Sequence, residues 1–173
     1  MKIVVSTNFS ESRAKTFFRF HLSRKSKSKY VYFSIGIFLI ILSGIVTFAL
    51  HQDIVGMTLF LAGLAVFAVR PIQINSIVKK IVEKSKISGG KYLITVEEDF
   101  ITYDFEGNVK RYSWKDIESV FETGDCFYVY TNPNMAIIIP KFAIDRVKRN
   151  ELIAFFKANV AYKKYRFKQK VEE

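Results

Sequence analysis

Between Tyr30 and Val69 the chain carries one formally charged residue, Asp53. Residues 30–50, YVYFSIGIFLIILSGIVTFAL, have none at all. At about 1.5 Å per residue, a helix of that length crosses a hydrocarbon core of about 30 Å. Residues 54–69 form a shorter apolar run closed by Arg70 and Pro71. Snorkelling by Arg70 lengthens that run into a second span over 54–70. His51, Gln52 and Asp53 leave room only for an antiparallel return, with His51 and Asp53 at its wet tip. Asp53 is also placed to N-cap the second helix, where its carboxylate meets the positive helix end. The first run starts far into the chain and ends without a small-residue cleavage site, so it reads as a retained span, not a signal peptide.

The charge distribution orients this hairpin. The formal net charge is +11, which alone suggests a nucleic-acid ligand. Its placement does not: residues 1–29 carry a net +7, residues 70–91 +5, residues 92–140 −6 and residues 141–173 +6. Arg24, Lys25, Lys27 and Lys29 precede the first span, and Arg70, Lys79 and Lys80 follow the second. Basic residues on both flanks predict a multi-pass protein of the cell membrane with both termini cytoplasmic, these side chains lying against anionic headgroups without headgroup selectivity. No nucleic acid is needed to explain the charge. Cys126 is the sole cysteine, so no intrachain disulfide forms.

Small residues recur one heptad apart in each span, Gly36 with Ser43 and Gly56 with Gly63. In lipid, where packing and not hydrophobicity drives helix association, such stripes bring backbones together. They predict packing of the two helices on each other or a seam between copies.

Four segments follow. Residues 1–29 are expected to hold a short strand over 2–6 and a basic juxtamembrane helix, N-capped by Asn8 with Glu11 three residues on. Ala14, Phe17, Phe18 and Leu22 would be its apolar side, with His21 at the interface. Residues 30–70 are the hairpin. Residues 71–88 have Ile74, Ile77, Val78, Ile81 and Val82 at helical spacing and read as an amphipathic linker helix set off by Pro71.

Residues 89–173 change to a period of two. Strands are predicted at about 91–97, 99–105, 109–114, 118–123, 126–131 and 135–139, separated by turn chemistry such as Glu106-Gly107-Asn108. Their even spacing implies a curled antiparallel meander or partial barrel. A final helix, N-capped by Asn150, would cap it with Leu152, Ile153, Phe155, Phe156 and Val160, and a basic tail over 163–170 would return to the membrane. Trp114 is expected in the core with its indole N–H bonded at a strand end. Asp116 would cap a turn before Ile117, Pro140 would end the last strand, and Lys141 would be exposed or paired with a carboxylate. Cys126 reads as a small core residue.

The fold class is therefore an α+β membrane protein, a two-helix hairpin plus a small helix-capped antiparallel domain. Residues 91–101 (KYLITVEEDFI), 113–117 (SWKDI), 127–130 (FYVY) and 137–141 (IIIPK), with the stretch 7–21, resemble the bacterial YcxB-like family. The resemblance implies a two-helix membrane hairpin followed by a pleckstrin-homology-like domain, and no established activity.

For function, the chain lacks a Gly-rich phosphate loop, a metal-ligand cluster and a nucleophile paired with a base, so neither catalysis nor a cofactor or metal is expected. Phosphate-binding pleckstrin-homology domains use basic residues in the first strand–strand loop. Here that loop is read as Glu97, Glu98 and Asp99, which repel phosphate. The reading that remains is a non-enzymatic, membrane-tethered interaction or scaffold module whose acidic face meets a protein partner or a second copy. Anionic-lipid sensing and membership of a membrane oligomer or transport assembly are the alternatives.

Overall fold

The computed structural model describes residues 2–8, 10–26, 28–84 and 90–165. Contacts divide the chain into two compact units, one made of Met1–Phe17 with Ile87–Glu173 and the other of Phe18–Lys86.

The second unit is helical. A π-helical turn, His21–Lys25, leads into α2 (Ser28–Leu50), which reverses into α3 (Asp53–Lys84). Both helices are long and apolar enough to cross a membrane. A core helix of a soluble protein passes the same length test but is mostly buried. Here only 17% and 11% of the apolar windows are buried, and Phe48 and Ile54 are 82% and 85% exposed. At the tip His51 takes a positive φ of 51°, the left-handed conformation that lets a helix end and the chain turn back. Asp53 is not the cap of α3. The Gln52 carbonyl accepts the Gly56 N–H at 2.9 Å, so Asp53 lies in the first turn, still beside the positive helix end. Pro71 does not interrupt α3. It removes one backbone donor, yet the helix continues to Lys84, so the predicted linker helix is the continuation of the second apolar helix.

The first unit holds two four-stranded sheets, α4 (Arg146–Asn159) and the start of α1 (Glu11–Phe20). Sheet A runs β1 (Ile3–Asn8), β2 (Lys91–Val96), β3 (Phe100–Phe105), β4 (Asn108–Ser113), all antiparallel. Sheet B has the order β7 (Met135–Pro140), β6 (Cys126–Asn132), β5 (Ser119–Glu122), β8 (Tyr162–Lys164). All six predicted strands are present, but they are not one meander. A 3-10 turn, Trp114–Asp116, separates β4 from β5, with the Ser113 hydroxyl accepting the Lys115 N–H. At Glu106 and Gly107, φ values of 51° and 85° make the mirror-image turn that a two-residue hairpin between β3 and β4 requires. β8 was not anticipated. It pairs parallel with β5, Val120 opposite Tyr162, and occupies the start of the predicted basic tail, whose residues 166–170 lie outside the described ones.

β1 pairs with β2 over six residues, from Ile3 opposite Val96 to Asn8 opposite Lys91. The connection between these adjacent strands is therefore everything from residue 9 to residue 90, the apolar hairpin included. It follows that Glu97–Asp99 is the second strand–strand loop of the unit and not the first.

Two predicted caps move. Asn8 ends β1, and Ser10 caps α1 by accepting the Arg13 N–H on its hydroxyl and the Ala14 N–H on its carbonyl. Likewise α4 (Arg146–Asn159) begins at Asp145, whose carboxylate accepts the Val147 N–H at 3.0 Å, leaving Asn150 inside the helix.

The core lies between the sheets and α4. Val5, Ile94, Ile101, Val120, Phe127, Ile139, Leu152 and Phe156 are all fully buried. Sheet B is covered on its other face too, where Phe17 of α1 meets the rings of Tyr128 and Tyr130 at 5.3 and 6.1 Å. Burial on both faces explains why β5 is buried at every position and why most of β6 (CFYVY) reads as a continuous apolar run without alternation.

If β1 is an integral strand, Val5→Asp places an unpaired carboxylate in a sealed core and should cost several kcal/mol. Trp114 is the only tryptophan and sits in that core, so its fluorescence reports the unit. The expected result is loss of the native Trp114 signal at lower denaturant. An unchanged midpoint would show β1 to be dispensable.

Candidate functional site

Three constellations hold most of the polar chemistry. The first is the open end of the hairpin. The helices are clasped along their length by the small residues: the Ser43 hydroxyl donates to the Gly56 carbonyl at 2.8 Å. A Cβ on Gly63 would stand 3.1 Å from the Gly36 carbonyl oxygen, and one on Gly36 would strike the Phe67 ring at 2.5 Å. All four residues are buried, and each faces the other helix of the same hairpin. Towards the open end Phe33 meets Phe67 edge-on at 5.9 Å, and the Tyr32 hydroxyl donates to the Gln73 amide oxygen at 2.5 Å. Beside these contacts is a cavity of about 280 Å³ whose wall includes Lys29, Arg70 and Ser23. Arg70 donates to the Leu22 carbonyl at 3.3 Å and Lys29 to the Arg24 carbonyl at 2.9 Å.

The other predicted surface cations are dispersed. Arg24 and Lys25 lie in the π-helical turn, and Lys27 is outside the described residues. Lys79 and Lys80 are exposed farther along α3, Lys79 within 3.9 Å of Glu83. The structure thus brings the side chains of Lys29 and Arg70, from opposite helices, to one cavity.

The second constellation is a buried ion pair in the first unit. Lys141 follows Pro140, the last residue of β7, and its ammonium lies 2.8 Å from Glu122 at the end of β5. Both side chains are nearly sealed, 12% and 4% exposed. Lys141 also donates to the Thr123 carbonyl, and Glu122 accepts from the Tyr162 hydroxyl and lies 3.5 Å from Lys164. Arg149 of α4 donates to the Lys141 and Ile144 carbonyls at 2.8 and 3.1 Å. The pair therefore ties β5, β7, β8 and α4 together. Sequence reasoning missed Glu122, although a carboxylate directly after Val120 and Phe121 in a predicted strand was the available sign.

Trp114 is buried with its indole N–H donating to the Glu97 carbonyl at 2.9 Å, its ring edge-on to Phe155 and Phe156. Asp116 is exposed in the 3-10 turn, which Ser113 caps. These residues hold strand ends together and present no reactive group.

The third constellation is aromatic and sulfur-bearing. Burial pushes the Cys126 thiol up from 9.0 to about 11, against the smaller opposing pull of Arg13 and Lys141. It pushes the Tyr92 hydroxyl up from 10.0 to about 12, again outweighing Arg13, and raises Tyr128 and Tyr130 in the same direction. A protonated, buried thiol is a packing residue and not a nucleophile. Among the described residues no three His, Cys, Asp or Glu side chains converge to hold a metal ion.

Two expectations follow. Lys141→Met leaves Glu122 sealed without its closest cation and should cost about 3–5 kcal/mol, whereas Lys164→Met, at the exposed end of the network, should cost under about 1 kcal/mol. Equal losses in denaturant unfolding would show that the pair is not the tie described. Secondly, raised folded pKa values mean that the fold favours the neutral thiol and phenols. That stabilisation is complete below the unfolded value near 9 and is lost as pH rises through about 12. Unfolding followed by Trp114 fluorescence should show stability falling steadily across that window. Constant stability to its upper end would contradict the burial argument.

Against known proteins, the family model for YcxB-like protein matches residues 96–156, from the last residue of β2 into α4. The chain is similar to that family over this stretch. No curated protein and no solved structure matches the chain.

Proposed function

We propose that this protein is a non-enzymatic, membrane-anchored interaction module, with α2 and α3 crossing the cell membrane and the first unit held at its cytoplasmic face. The observation that carries this reading is the pairing of β1 with β2. One strand precedes the hairpin and the other follows it, so a hairpin that crosses twice must have both flanks on one side. The unburied apolar surface of α2 and α3 supports the crossing, since water does not tolerate a patch of that extent. The Lys and Arg excess on both flanks supports the cytoplasm as that side.

Four antiparallel strands in one sheet, three in a second and a following helix support a pleckstrin-homology-like description, in which the hairpin is inserted between the first two strands. The loop whose basic residues bind phosphates in such domains is then replaced by the hairpin itself. That favours protein recognition over headgroup reading for this unit. Its exposed acidic residues, including Glu98, Asp99, Glu106, Asp116 and Asp125, suit a basic partner or a basic segment of a second copy. The outer edge of β4 also offers unpaired backbone groups for strand addition.

The test has two readouts on the full chain in native membranes. With a membrane-impermeant maleimide, Gln52→Cys should label from outside and Lys115→Cys only after permeabilisation. Labelling of both from one side overturns the topology. Crosslinking through the acidic face should trap another protein or a second copy, and a yield of monomers alone overturns the interaction role.

A further inference from the structure

We infer that the cavity at the open end of the hairpin is a binding site for a glycerophosphate ester, presented by an anionic phospholipid or as the free compound. The cavity has about 280 Å³, room for a phosphate with its glyceryl arm. Two cations line it from opposite helices, Lys29 of α2 and Arg70 of α3. Each is half-buried and oriented by one hydrogen bond to a backbone carbonyl, Lys29 to Arg24 and Arg70 to Leu22. Those bonds leave further N–H donors on both groups unspent.

What is missing around them is negative charge. Between Glu11 and Glu83 the only acidic residue is Asp53, at the opposite end of the hairpin. No carboxylate among the described residues lies within ion-pair distance of Lys29 or Arg70. Two positioned cations facing one cavity without a counter-charge repel each other, and an anion entering between them relieves that repulsion while accepting charge-assisted hydrogen bonds. Guanidinium geometry suits the paired oxygens of a phosphate. The remaining wall is apolar, with Phe33, Phe67 and Ile74 beside the cations. A ligand with a charged head and a greasy continuation fits that pairing, which is the usual chemistry of headgroup sites between membrane helices. This goes beyond diffuse attraction of lysines to a charged surface, because it assigns one ligand to one cavity. Only the lipid form of the ligand rests on the membrane placement proposed above.

Native mass spectrometry of the full chain in detergent tests it, with phosphatidylglycerol, phosphatidylcholine and sn-glycerol 3-phosphate as probes. The expected result is a single phosphatidylglycerol adduct, favoured over phosphatidylcholine. Lys29→Gln with Arg70→Gln should weaken it by about tenfold or more per cation removed. Lys79→Gln with Lys80→Gln removes the same charge outside the cavity and should change it little. Ser23→Phe fills the cavity with both cations kept and should abolish the adduct; it decides the matter if the double charge variant does not fold. Equal losses in the two charge pairs, or an undiminished adduct in Ser23→Phe, would overturn the site. Glycerol 3-phosphate binding with the same variant pattern, without a lipid adduct, supports the site and names the free ester as its occupant. Binding in detergent is independent of sidedness, so its failure and a failure of the maleimide topology are separate results.

Discussion

The pairing of β1 with β2 is the constraint on which the rest of the molecule depends. These strands are neighbours in sheet A, yet residues 9–90 lie between them in the chain. As a flexible coil, so long a connection would resist closure entropically, although the penalty grows only with the logarithm of length. Here the connection is not a coil. α2 and α3 return the chain towards its point of entry, and Tyr32–Gln73 and Phe33–Phe67 hold the two legs together at the open end. Folding of the hairpin therefore supplies much of the closure that β1 needs.

The same economy governs sheet B. β5 and β6 are buried on both faces, which removes the alternation that marks a half-exposed strand and leaves no polar side for the sheet to show. A strand buried in this way still has to end somewhere, and its ends gather the polar groups. Glu122 terminates β5 and is met by Lys141 after β7 and by Tyr162 and Lys164 of β8. A sealed carboxylate is costly alone and acceptable only when its oxygens are occupied, so these partners must arrive together. That requirement fixes the short parallel strand β8 against β5 more firmly than three residues of ladder would.

The hairpin, the six strands after residue 90 and the final helix were legible because each rests on local pattern: a charge-free run, a period of two between turn residues, a period of 3.6. The small residues Gly36, Ser43, Gly56 and Gly63 are likewise a local pattern, a spacing along one helix face. What escaped detection depends on residues distant in sequence. That β1 completes sheet A, that Trp114–Asp116 divides the strands between two sheets, and that Glu122 answers Lys141 are consequences of tertiary pairing and leave only faint traces locally. Cap positions failed for a smaller reason. Asn8 and Asn150 are good capping residues by type, but Ser10 and Asp145 stand where the backbone turns, and a cap acts only there.

The distribution of satisfied and uncompensated charge separates the two units by role. In the first unit the buried polar groups are committed to holding the fold: Glu122 to Lys141, Arg149 to two carbonyls, the Trp114 indole to Glu97. The cysteine and tyrosines there are held protonated by burial, which withdraws them from chemistry at neutral pH. Exposed carboxylates and a strand edge are left over, and these suit surface recognition more than a reaction. At the hairpin's open end the balance is reversed. Lys29 and Arg70 face a cavity, each spends one hydrogen bond on orientation, and no carboxylate among the described residues lies within ion-pair distance of either. Repulsion between oriented cations has no structural benefit of its own, since either could be neutral without loss of a described ion pair. An anionic ligand of the kind inferred above would relieve it and complete the site.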